Sequence, residues 1–273
     1  MTTGAGCTRG GDIALTDDSS ARVSLLGLLD SAESYRAASR KLEAGWCSVF
    51  QEIVLSHNAI MTPGVIQGNE YDLVVPVLLA KCSFAYFVAA VDVGLSRQTF
   101  PCFALLRTCI ESAVYAYTII GRPELSRVWI LRHNTPEDKK NFDAAFKIRH
   151  LINSLPEAGV APREAIQKLY DRAIDYGGHP NKGGALSVAV QNRVGGRYSV
   201  DIELFAQGLP FLHALKSAAE VGYGMVCLED LAFNVQLAPK TLPDRIRALG
   251  VEGANRLRPP AKSSAGSQTP PAD

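Results

Sequence analysis

An arginine and a histidine a few residues apart at the end of a helix can act on a phosphodiester, and the segment YDRAIDYGGHPNKGG offers such a pair in Arg172 and His179. An imidazole shuttles a proton near neutral pH, while a guanidinium stabilises charge developing on a phosphate, so the chemistry would be RNA cleavage without a metal. Asp175, Tyr176 and Asn181 fall beside the pair and complete a candidate binding turn. Gly177, Gly178, Gly183 and Gly184 would let backbone amides approach a phosphate; they serve equally as a helix stop and a linker. For His179 the competing reading is a turn histidine that caps local backbone.

A second pair, Arg107 and Glu111, stands four residues apart in the apolar run ALLRTCIESAVYAYTII. That spacing puts both on one helical face, where a charge-assisted hydrogen bond can form between them. Burying either charge alone would be costly, so the pair is expected either to fix helix register inside the core or to face a polar cavity between helices.

Other chemistries lack their signatures. There is no G-x-G-x-x-G, Walker loop, G-x-S-x-G or H-E-x-x-H, so nucleotide, hydrolase and zinc-protease readings have no support. The 5 histidines are too scattered to show a metal site, and no metal or cofactor is expected. The 6 cysteines contain no C-x-x-C, and several lie in apolar helical stretches, as reduced structural thiols do. A net charge of +1 supplies no global attraction to nucleic acid. The first eighteen residues lack the basic start and apolar run of a signal peptide, from which a cytoplasmic location is expected.

The elements that must position these residues read as helices. Asp17-Asp18-Ser19-Ser20 offers capping oxygens for a first helix, with Gly45 placed to bend or divide it. A second fits Asp72 to Leu95. Its Leu73 to Leu95 stretch is long enough to cross a bilayer, but Lys81 and Asp92 would each cost up to about 3 kcal/mol there, and no membrane association is expected. A third fits Thr99 to Ile120, and a fourth Glu124 to Arg132. Thr135-Pro136-Glu137-Asp138 starts a fifth that should run to about Ser154. Pro162 opens a sixth, which Gly177-Gly178 should end through a left-handed cap. Two short alternating runs flank Gly195-Gly196 as a β-hairpin does, and a last helix fits Leu209 to Val235.

The expected fold is therefore mainly α, an irregular multi-helix bundle over residues 18–238 with a small β-hairpin appendage at 185–203. Residues 1–17, and a Pro/Arg-rich tail over 239–273, are expected to be disordered, being too poor in large apolar groups to repay ordering.

Arg172 and His179, with six residues between them after a helix in an all-α chain, resemble the Arg-x(4–6)-His motif of the HEPN superfamily. Its members are often dimeric, metal-independent ribonucleases of toxin-antitoxin and phage-defence systems. The L-L-R-x-x-x-E helix, Leu105 to Glu111, also looks like a segment common in uncharacterised bacterial helical families. The resemblance implies a homodimeric RNA-cleaving or RNA-binding protein of a bacterial defence or toxin system, with Arg172 and His179 as its catalytic residues. The alternative is a non-catalytic helical module that binds a protein or a small ligand.

Overall fold

The computed structural model describes residues 24–62, 70–157, 162–178, 189–194, 197–202 and 204–258. Mainly α is the observed class. The chain order is α1 (Leu25–Leu42), α2 (Ala44–Ile60), α3 (Glu70–Leu95), α4 (Thr99–Ile119), α5 (Pro123–Leu131), α6 (Pro136–Ala145), α7 (Ile148–Asn153), α8 (Arg163–Ala173), α9 (Gly208–Phe233) and α10 (Leu242–Arg256). Strands β1 (Ala189–Val194) and β2 (Arg197–Ile202) pair antiparallel, with Ala189 opposite Ile202 and Val194 opposite Arg197.

Helices apolar nearly all round must sit inside, and α4 and α9 do so. Leu106, Cys109 and Val114 of α4 are buried, as are Leu215, Ala218 and Val226 of α9. Against both packs α3, which runs along α4 and meets α9 where Gly222 faces the Phe87 ring. A Cβ at Gly222 would lie 2.3 Å from that ring, so any larger residue there would have to displace the buried Phe87. Leu73–Leu95 is the one segment among the described residues long and apolar enough to cross a membrane. In the fold its Leu79, Ala80, Phe87 and Ala90 are buried, while Val74, Leu78 and Val88 face outward.

Four boundaries differ from expectation, each for a physical reason. The first helix starts on Ser24, whose hydroxyl accepts the Gly27 N–H at 3.0 Å, and the residues offered as its cap, Asp17 to Ser20, lie outside the described residues. It divides at Glu43, where φ is −113° and ψ 40°, rather than at Gly45. The helix begun at Thr135-Pro136 is capped as expected, Thr135 accepting the Asp138 N–H at 3.1 Å. It stops at Ala145, however, because Phe146 turns into a small core with Val75, Leu79 and Ile119. Tyr115 then donates to the carbonyl of Phe146 at 3.1 Å, satisfying it at the break. The helix from Arg163 does not end in a left-handed glycine; it widens into a π turn over Ile174–Gly178. Gly177 is needed there for closeness, since a Cβ would lie 2.6 Å from both the Phe100 carbonyl oxygen and Phe103 Cβ of α4.

The largest correction is at the C-terminal side. Residues expected to be a disordered tail from 239 form α10, with Leu242 wholly buried and Ile246 nearly so. Leu242, Ile246 and Leu249 make an i, i+4, i+7 stripe that docks on α9 and α2. Arg245 pairs with Glu52, and Arg256 with Glu43 at 2.9 Å, so the arginines that looked like a solvated tail clamp α10 to α2. Residues 1–17 and 259–273 lie outside the described residues.

Candidate functional site

Helix α8 is strongly amphipathic: Ile166, Tyr170 and Ala173 point inward, and Arg172 comes out beside α9 near the helix end. There its Nη1 donates to Glu220 Oε2 and to Ser217 Oγ, the latter at 3.3 Å. Lys216 Nζ takes the other oxygen, Glu220 Oε1. Burial alone would raise the Glu220 carboxyl, but the Lys216 hydrogen bond and the Arg172 charge outweigh it and hold it below its ordinary value. The guanidinium proposed to clamp a phosphate thus already holds a carboxylate. Its expected partner His179, and Asn181 with it, lie outside the described residues. Asp175 is exposed on the π turn.

Tyr176, the remaining member of that segment, turns inward and meets a histidine that sequence spacing left isolated. Its ring centroid lies 4.7 Å from His213 of α9 and 5.2 Å from Phe103 of α4. Burial first, then the charges of Arg172 and Lys216, hold the His213 ring below its ordinary value, with Glu220 opposing. These rings, with Leu209 and Pro210, line a cleft of about 340 Å³. Thr99 also lines it; its Oγ1 is buried without a hydrogen-bond partner. A second cleft of about 350 Å³, with Arg172 in its lining, lies among α8, α9 and α10. Both clefts follow the line between the α8 segment and α9.

Arg107 and Glu111 form the expected ion pair, Nε to Oε1 at 2.8 Å, but on the rim of the core rather than through it, each about a quarter exposed. Tyr170 of α8 donates to the same carboxylate oxygen at 3.0 Å, and the guanidinium carbon stands 5.9 Å from its ring centroid. Burial, then the Glu111 charge, raises the Tyr170 hydroxyl. This trio ties α4 to α8.

Among the described residues, the one ion pair enclosed in the core has no counterpart in the sequence expectations. His57 Nδ1 and Glu229 Oε2 lie 2.9 Å apart, with side chains 3% and 1% exposed. Phe84 stacks on the imidazole at 4.0 Å. Burial pushes the Glu229 carboxyl up against the pull of His57, and its Oε1 has no hydrogen-bond partner. A signal existed in each half: His57 falls on the buried face of α2 one turn after Ile53, and Glu229 interrupts the apolar run MVCLEDL. Nothing in the sequence joins them.

Among the described residues no three His, Cys, Asp or Glu side chains are gathered as a metal would need. No family model matches the chain, and no curated protein or solved structure is significantly similar to it.

Proposed function

We propose that this chain is a helical module that binds a small organic molecule in the crevice between the α8 segment and α9. The observation that carries the proposal is the pair of clefts that α9 lines together with the α8 segment, about 340 and 350 Å³, each within the size range of small-molecule sites. Both have largely apolar walls with a few polar groups, the composition that gives affinity through burial and orientation through hydrogen bonds. Thr99, in the lining of one cleft, has a buried Oγ1 without a hydrogen-bond partner, an unsatisfied polar group beside the apolar wall. In this reading the β1–β2 pair is an appendage, since the described lining comes from α4, the α8 segment, α9 and α10.

The RNA-cleaving reading requires Arg172 to meet a phosphate. The pairing of the neighbouring cations Lys168 and Arg247 with Glu164 and Asp244 weighs against a polyanionic partner, because nucleic-acid affinity draws on several cations free to replace counterions. A fragment screen observed through the methyl signals of Leu169, Leu209 and Ile246 tests the module directly: hits should perturb these positions, and a screen whose hits all fall elsewhere would overturn it. Incubation with RNA in EDTA provides the other arm. No cleavage is expected; cleavage by the wild type that His179→Ala abolishes would restore the ribonuclease.

A further inference from the structure

The cleft bounded by α8, α9 and α10 carries an imbalance of charge that a purely structural clamp does not need. Lys168 and Arg172 enter its lining from α8, Lys216 from α9 and Arg247 from α10, against the single lining carboxylate of Glu220. The two rim cations are answered on the exposed surface, Lys168 by Glu164 at 2.5 Å and Arg247 by Asp244 at 2.8 Å. At the floor, Arg172 and Lys216 share Glu220, so two cations against one carboxylate leave one formal positive charge. One cation would suffice to dock α8 on α9 through Glu220. Bringing a second, only about one third exposed, to the same carboxylate leaves a charge that solvent only partly screens.

The rest of the cleft is apolar. Leu169, Tyr223, Pro243 and Ile246 form its walls, and its volume sits near the small end of the range for ligand sites. A positive floor beneath apolar walls is complementary to a molecule with one anionic end. We infer that this cleft binds an amphipathic organic anion, with a carboxylate or phosphate head on Arg172 and Lys216 and an apolar body against Leu169, Tyr223 and Ile246. The inference rests on the small-ligand reading above and names its ligand class. Glu220 then has two roles. It holds the two cations in place when the cleft is empty, and it competes with the ligand's head for them. The positive field extends along the crevice, where the Arg172 and Lys216 charges also help hold the neighbouring His213 ring below its ordinary value, after the effect of its burial.

Isothermal titration of the full chain with decanoate, decyl phosphate and decanol tests both parts separately. The anions are expected to bind at least about tenfold more tightly than decanol, an advantage that added salt reduces. Arg172→Gln and Lys216→Met should each erase that advantage, with the circular dichroism spectrum unchanged. Glu220→Gln removes the competitor and should tighten the anions by about tenfold, an outcome that a structural clamp does not produce. Comparison of decanoate with decyl phosphate identifies the head. Decanol binding as tightly as the anions, or Glu220→Gln weakening them, would overturn the anion site while leaving the small-ligand crevice in place. No heat from any of the three compounds, with no methyl signal of the cleft perturbed, would overturn both.

Discussion

Helix α9 carries two glutamates that solve opposite problems. Glu229 is sealed in the core against a single histidine, with one oxygen unpartnered, whereas Glu220 is a quarter exposed and has both oxygens taken by cations. Desolvation dominates the first, so its carboxyl is pushed up; the cations prevail at the second, so its carboxyl is held down. The difference separates structure from availability. A dry pair has no room for a third participant and serves to fix how α2 meets α9. A wet, crowded carboxylate can yield a cation to another anion, which makes the α8–α9 crevice the place to look for binding.

If that contrast is right, the dry pair must be the more expensive to break. His57→Leu is expected to destabilise the chain by about 3–5 kcal/mol at pH 7 in urea unfolding, because it strands a buried carboxyl. The cost should shrink as pH falls, because a carboxyl that burial pushes up takes up a proton more readily than an ordinary one. Replacing both partners with Leu should recover most of the loss, since well-packed apolar groups of similar volume substitute for buried ion pairs at little cost. A loss under about 1 kcal/mol for His57→Leu, the range of surface pairs, would erase the distinction between the two glutamates.

Gly177→Ala sharpens the comparison from the side of the crevice. The added methyl would meet backbone and Cβ atoms of α4 at 2.6–2.7 Å, which cannot swing away as a side-chain tip can. Overpacking of this kind costs about 1–3 kcal/mol, so a clear fall in Tm is expected. Because the π turn carries Tyr176, the same change should also shift the ring signals of Tyr176 and His213. A stable variant with unmoved rings would show that the π turn does not position that wall of the crevice.

What could be read from the sequence follows from the range of each interaction. Thr135-Pro136 announced a helix start, and the gap between Arg107 and Glu111 announced a pair, because caps and i, i+4 neighbours are written within one turn. The break at Phe146 was hidden, since it is imposed by Tyr115 and Val75, far along the chain. Helix α10 was masked by its composition: its arginines and flanking prolines outweighed the short stripe of Leu242, Ile246 and Leu249. The crevice was legible only in half. Arg172 stood out, but its partners are Ser217 and Glu220, 45 and 48 residues later, and the histidine that meets Tyr176 is His213. Glu229 meets His57 across 172 residues, a separation that helical periodicity cannot bridge.

The smallest expected effect is also the one whose sign discriminates most finely. Glu220, with its folded value below the ordinary 4.5, binds fewer protons in the native state than unfolded; the stability it contributes is present above that value and lost as pH falls through the folded one. Glu229, with its folded value above 4.5, does the reverse: its contribution is present below 4.5 and lost as pH rises through the folded value. Unfolding free energies measured from pH 3 to 7 should therefore lose part of their acid-side decline in Glu220→Gln and part of their opposite slope in Glu229→Gln. For Glu220 the change should stay below about 1 kcal/mol, because solvent screens a quarter-exposed group. Slopes altered in the same direction by both variants would mean that the two glutamates share one environment after all, and that the crevice is as closed to an incoming anion as the core.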